Sequence, residues 1–215
     1  MPRPTRPSVA AETTEYLDPA ATKAALGAHM RARPSLEALA NEAARLGYRP
    51  REEDEQFFGY RHSFRAARPV RPPAGATAAE PVEAVEVEVL LQSHSKPDST
   101  DQAAIVTLSI KGGGNSESYD LLLEAPGGSF HNYREFTASG VTVQEAESWW
   151  SAFVSCLDSN CWWPCLSALW QCTGTWAAYL ACLAARCGGC VGRCLTCATC
   201  NCGWWCSWAS GCCRQ

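Results

Sequence analysis

A chain of 215 residues has room for one or two domains, and a formal net charge of −4 leaves no excess of basic residues of the kind that binds nucleic acid. These averages conceal two different polymers. All 14 cysteines lie between Cys156 and Cys213 and all 9 tryptophans from Trp149 onward, and charge divides at the same place, with Arg186, Arg193 and Arg214 standing against Asp158 in the last segment.

The sequence therefore reads as a cysteine-free N-terminal region joined to a separate cysteine-rich peptide module. At about 65 residues the module is of a size at which an apolar core alone is marginal. Its cysteine density is that of a disulfide scaffold, and the even count suits complete pairing. Disulfides persist in oxidising compartments, which predicts a product that works outside the cytosol. The opening MPRPTRPSVAAETTEYLDP has no apolar run of signal-peptide length. The expectation is a cytoplasmic precursor, secreted after processing by a route other than a simple Sec signal.

In chain order, residues 1–13 read as a flexible tail. Asp18 and Pro19 then form an N-cap and first helical position, opening a helix to about Met30. A second helix follows Pro34, with Leu36, Leu39, Ala43 and Leu46 at helical spacing and Gly47 as its stop. Residues 57–66 (FFGYRHSFRA) read as extended, and 67–81 (ARPVRPPAGATAAEP) as a linker or long loop. Val85, Val87, Val89 and Leu91 alternate with Glu86 and Glu88, the period of a half-buried strand with a solvated acidic face. Residues 104–111 (AIVTLSIK) and 119–124 (YDLLLE) predict two further strands around a turn at Gly112–Asn115. Residues 14–137 are thus expected to form an α+β domain, two helices packed on one face of an antiparallel meander.

Thr142-Val143-Gln144-Glu145 is a capping box. The helix it opens would place Ala146, Trp150, Phe153 and Leu157 on one stripe. From there the chain is apolar, and Pro164, Gly174 and Gly188-Gly189 interrupt it, so two or three short helices are expected rather than one long one.

The module's cysteines, Cys156, Cys161, Cys165, Cys172, Cys182, Cys187, Cys190, Cys194, Cys197, Cys200, Cys202, Cys206, Cys212 and Cys213, are the first candidates for chemistry. Cys187, Cys190, Cys194 and Cys197 would form one helical stripe, and two such stripes facing each other can be bridged where Cα atoms lie roughly 4.4–6.8 Å apart. Each bridge typically adds about 2–4 kcal/mol. The spacing does not give the connectivity. The competing reading is metal: the C-x2-C pairs of CGGCVGRCLTCATCNC suit zinc, copper(I) or an iron–sulfur cluster, with Cys187, Cys190, Cys194 and Cys197 as ligands. The absence of histidine from the module weighs against it.

Trp162, Trp163, Trp170, Trp176, Trp204, Trp205 and Trp208 are the second candidates, either as membrane-interface rings or as core. Residues 159–185 carry no charge, and 166–185 match a membrane span in length. The pair Gly127-Gly128, after an acidic, leucine-rich stretch, is a candidate cleavage point of the double-glycine leader type, although such pairs are commonly turns. His29, His62, His94 and His131 are scattered, and no nucleophile elbow, P-loop or zinc-protease motif is present, so no enzyme and no cofactor are expected.

The helix ending in LGY, the following FFGYR (57–61), the strand meander and the cysteine-rich module together resemble the precursors of halocin-like and related actinobacterial cysteine-rich bacteriocins. That resemblance implies an N-terminal immunity or leader domain and a released, oxidised C-terminal toxin acting on the membrane of a target bacterium. Its partners would be that membrane, its own N-terminal domain, and the protease and exporter that mature it. A cytosolic metal-thiolate protein is the alternative, and a surface-coat protein crosslinked by its cysteines is a third.

Overall fold

A computed structural model of the chain describes residues 13–64, 84–112, 115–137, 148–161 and 163–200. The expected tail up to residue 12, the 67–81 linker, the capping box at 142–145 and Ala146 lie outside the described residues.

The first helix, α1 (Pro19–Ala32), starts where Asp18 accepts hydrogen bonds from the N–H groups of Ala20 and Ala21, at 2.9 and 3.3 Å. Proline at the next position sacrifices no intrahelical bond. The second, α2 (Pro34–Arg45), buries Leu36, Leu39 and Ala43 on one stripe. Gly47 ends it at φ +90°, a left-handed conformation that favours glycine.

Among the described residues seven strands form one antiparallel sheet: β1 (Thr13–Leu17), β2 (Arg49–Pro50), β3 (Phe57–Phe64), β4 (Val85–Ser95), β5 (Gln102–Gly112), β6 (Asn115–Ala125) and β7 (Arg134–Thr137). Their order is β1-β3-β4-β5-β6-β7, with β2 paired to the far end of β4 through Pro50 and His94. The expected meander is β4-β5-β6, in a register that sets Val89 opposite Leu108 and Leu108 opposite Tyr119. The short strands β1, β2 and β7 were not anticipated.

Four helices complete the described chain: α3 (Trp149–Asn160), α4 (Trp163–Gln171), α5 (Trp176–Cys187) and α6 (Gly189–Cys200). Ser148 caps α3 by accepting from the N–H of Ser151. Pro164 falls in the first turn of α4, while Gly174 (φ +110°) and Gly188 (φ +51°) make the breaks on either side of α5. The 166–185 segment is therefore divided between two helices, and among the described residues no helix is long and apolar enough to cross a membrane.

The two faces of the sheet are both covered. On one, Leu26 of α1, Leu36 and Leu39 of α2 and Tyr48 just after it pack against Phe57, Leu90, Ala103, Ile105 and Leu122. On the other, Val87, Val89, Leu91, Val106, Leu108, Leu121 and Leu123 join the tryptophans and cysteines of α3–α6 in one continuous core. The result is three layers, helix on sheet on helix. Baring those seven aliphatic residues would forfeit roughly 1.5–3 kcal/mol each, together comparable to the whole stability of a typical domain.

The expectation of a solvated acidic face on β4 needs correction at Glu88. It is 9% exposed beneath α1, where its carboxylate lies 2.6 Å from the Arg61 guanidinium and 3.7 Å from His29. A two-residue period distinguishes two faces but does not say that the charged one is wet; a carboxylate with a guanidinium partner tolerates burial.

Candidate functional site: the disulfide ladder and its covered face

The helical breaks fold α3–α4 back along α5–α6, and the cysteine stripes meet. Four bridges lie wholly among the described residues: Cys156–Cys194, Cys161–Cys190, Cys165–Cys187 and Cys172–Cys182, with Cα separations of 5.4, 6.1, 5.2 and 5.8 Å. They are nested like rungs, each inside the one before. Cys197 and Cys200 are disulfide-bonded as well, while Cys202, Cys206, Cys212 and Cys213 lie outside the described residues. The four rungs join the module to itself and none reaches the N-terminal region, which contains no cysteine. Chain continuity across 138–147 is thus the covalent link between the two parts.

The proposed metal set is not assembled as the spacing suggested. Cys187, Cys190 and Cys194 each bond a different partner across the ladder. The sulfurs that do cluster are those of Cys161, Cys190 and Cys194, all within 4.8 Å of one another. As disulfides they offer no thiolate, the form that binds metal.

The face of the module that meets the sheet is aromatic. Trp150 and Trp176 pack edge to face with centroids 4.8 Å apart; Phe130 meets Trp176 at 4.6 Å and stacks on Tyr179 at 4.1 Å. Trp150 and Tyr179 have their polar atoms satisfied: Trp150 Nε1 donates to the Phe130 carbonyl at 2.8 Å and the Tyr179 hydroxyl to the Leu169 carbonyl at 3.0 Å. Burial pushes the Tyr179 hydroxyl pKa up to about 12. Trp176, one of the membrane-contact candidates, is fully buried in the intact folded chain.

A small set of hydrogen bonds fixes the module on the sheet. Tyr60 of β3 donates to the Gly192 carbonyl of α6 at 2.7 Å and lies 2.6 Å from the Thr196 hydroxyl. Ser93 of β4 accepts from the N–H of Ala177, in the first turn of α5, at 2.9 Å. Tyr16 donates to the Gly188 carbonyl at 3.0 Å. Glu135 of β7 faces the N–H groups of Trp149 and Trp150 and the Ser148 hydroxyl at the start of α3; burial raises its pKa against their pull. Sequence reasoning missed all of these residues. Those on the sheet are polar or charged and sit among apolar neighbours in strands, a pattern that signals a pairing need without naming the partner.

Two tryptophans of α4 are exposed instead. Trp163 and Trp170, seven residues apart on α4, are 78% and 74% exposed, and His131 stacks on Trp170 at 4.1 Å. Trp162, Trp204, Trp205 and Trp208 lie outside the described residues. Gly127 and Gly128 form a turn at φ +63° and +69°, where the Gly127 N–H donates to Asp101 at 2.7 Å and a Cβ on Gly128 would lie 3.0 Å from the Thr100 carbonyl. Turn geometry alone is a sufficient reason for both glycines. Scans against protein-family models, curated proteins and solved structures find no match for this chain.

Proposed function

We propose that the chain is a bacteriocin-like precursor, whose disulfide-bonded C-terminal module is released by a cut between Gly128 and Trp150 and acts outside the cell on bacterial membranes. The observation that carries this reading is the division of bonds. The module is stapled to itself by four nested bridges, yet among the described residues it meets the N-terminal sheet through an apolar face and a few hydrogen bonds. One backbone cut separates two bodies that no described bridge joins. The released peptide keeps its shape and bares Trp150, Trp176 and Tyr179, which pack on Phe130 and Tyr133 in the intact chain, an aromatic face suited to the membrane interface. Trp163 and Trp170 add a second aromatic edge. Before the cut, the sheet covers the first face, which suits a leader or immunity domain that keeps the peptide harmless to its producer.

The test is to place a specific protease site within 138–147 of the oxidised chain and record dye leakage from phosphatidylglycerol-containing vesicles. Leakage is expected after cutting, weak before it, and lost on reduction. An oxidised, cut peptide that leaves both anionic vesicles and bacterial cells intact would overturn the reading.

The second reading is a metal-thiolate domain in the reduced chain, favoured by the clustering of Cys161, Cys190 and Cys194. It requires zinc or copper in protein purified without oxidation, with thiols that resist alkylation until a chelator is added.

A further inference from the structure

The ladder has a register problem that its own cysteines do not solve. On α6 and the end of α5 the stripe Cys187, Cys190, Cys194, Cys197 offers a sulfur every three or four residues, and Cys156, Cys161 and Cys165 offer a matching stripe opposite. The sulfurs of Cys161, Cys190 and Cys194 lie within 4.8 Å of one another, so Cys161 stands close to its own partner and to that of Cys156. A slip by one position, giving Cys156 to Cys197, Cys161 to Cys194 and Cys165 to Cys190, uses nearly the same spacings.

We infer that the N-terminal sheet is the template that sets this register: it acts as an intramolecular folding catalyst for the cystine ladder. This deepens the precursor reading and rests on it. Three contacts from the sheet region fix the phase of the helices that carry the cysteines. The Tyr60 hydroxyl reaches the Gly192 carbonyl and Thr196 on α6. The Ser93 hydroxyl caps the first turn of α5 at Ala177. The Phe130 carbonyl accepts from Trp150 on α3.

The glycine at 192 makes the α6 contact selective. A Cβ there would lie 3.1 Å from both Tyr60 Cε2 and Thr14 Cγ2, tight contacts that a larger side chain would have to push aside. A slip of three residues along α6 would bring Leu195 to that spot. Slipping the other way would draw the break at Gly188 toward Tyr60. Within the module, Trp149 Nε1 to Thr199 Oγ1, at 3.1 Å, is a register contact of its own, joining α3 to α6. It links the two cysteine stripes but fixes neither to the sheet.

Each bridge forms by thiol–disulfide exchange with a low-molecular-weight disulfide such as glutathione disulfide. Two cysteine thiols give up two protons and two electrons, a new S–S bond forms, and the small disulfide leaves as two thiols. The sheet changes no bond in this step; it decides which thiolate is opposite which.

The test is oxidative refolding of the full-length chain from the reduced, unfolded state in a glutathione redox buffer, with bridges mapped by digestion and mass spectrometry. Gly192→Leu is the decisive variant. Leucine favours helix over glycine, so it strengthens α6 in isolation while spoiling its seat on Tyr60. The expected result is at least a fivefold fall in the native fraction, with Cys161–Cys194 among the products. Ser93→Ala, which leaves the packing in place, should lower and slow native pairing to a smaller degree. A wild-type map at the wild-type rate from either variant overturns the template role, because the module would then encode its own register. Vesicle leakage by natively bridged, cut peptide is read separately, so a failure of the precursor reading leaves a different signature.

Discussion

The hydroxyl of Tyr60 and the carbonyl oxygen of Gly192 lie 2.7 Å apart across the boundary between sheet and module, joining residues 132 positions apart. Both are buried, and the Thr196 hydroxyl completes the group by donating to the same carbonyl at 3.0 Å. Tyr60→Phe therefore removes one of the donors to this carbonyl, and the expected cost is about 1 kcal/mol. Tyr60→Ala also removes a ring buried against α6 and should cost roughly 3–5 kcal/mol, as large-to-small aromatic changes do. Chemical denaturation of the oxidised chain separates the two. In cut protein, the Tyr60→Phe change should register as a faster release of the module from the sheet.

Gly59 marks the tightest approach on the other face. A Cβ at this position of β3 would collide with the Thr22 hydroxyl of α1 and lie 2.9 Å from Leu17 Cβ. Thr22 is fully buried and held by the Asp18 carbonyl, so it has nowhere to retreat. Gly59→Ala should destabilise by about 1–3 kcal/mol, the usual range for overpacking, read as a fall in Tm. An unchanged Tm would mean that α1 is less firmly seated than these contacts imply.

The dependence on acid has a defined sign. Both ring nitrogens of His94 are buried without a hydrogen-bond partner among the described residues, and desolvation pushes its pKa down to about 4 from an ordinary 6.5. As pH falls from 6.5 the unfolded chain takes up this proton first, and the folded chain resists until about 4. Stability should therefore decline across this window, by roughly 3 kcal/mol at its acid end. Glu135, with a raised pKa, works in the opposite sense. The difference between wild type and His94→Leu isolates the histidine: the variant should lose less stability between pH 6.5 and 4. Parallel curves for the two proteins would show that His94 is not the group responsible.

Nesting changes what one rung contributes. Alone, the Cys156–Cys194 bridge closes a 38-residue loop and Cys172–Cys182 a 10-residue one. With Cys161–Cys190 already formed, the outer rung closes only about nine further residues, so the loop-entropy argument assigns the two nearly equal marginal values of about 2–3 kcal/mol. Cys156→Ala with Cys194→Ala, and Cys172→Ala with Cys182→Ala, should thus lower stability by similar amounts. If removal of the outer rung cost clearly more, the ladder would not be behaving as nested loops.

Much of this fold is legible in the residues, and the parts that are not have physical causes. Leu36, Leu39 and Ala43, stopped by Gly47, give α2, and Val85 to Leu91 give β4, because burial on one side imposes a period. Helices in the module could be read as short because Gly174 and Gly188 break them. The hidden element was the second cover on the sheet. The run AIVTLSI in β5 has few polar interruptions, which is how a strand buried on both faces reads; taken that way, it points to a further layer, and the module is the apolar segment that can supply it. β1, β2 and β7 escaped because strands of two to five residues have too few positions to show a period. The ladder's pairing was beyond the sequence because evenly spaced thiols are alike until something outside them fixes the register.

The two classes of tryptophan make a separate prediction, since burial decides which property each controls. Trp176 is fully buried between Phe130 and Trp150, and Trp176→Ala should cost about 3–5 kcal/mol. Trp163 and Trp170 touch water over most of their surface, so Trp163→Ala should change stability by no more than about 0.5 kcal/mol. Trp170→Ala should cost slightly more because it also loses the His131 stack. If the exposed pair is the edge by which the module meets lipid, the double variant should weaken vesicle binding of the cut, oxidised module while leaving its melting curve in place. Stability and binding would then segregate onto different rings of one helical module. If the double variant bound vesicles as wild type does, the membrane-contact role would fall to the face that the sheet covers, and release would become the only step that creates it.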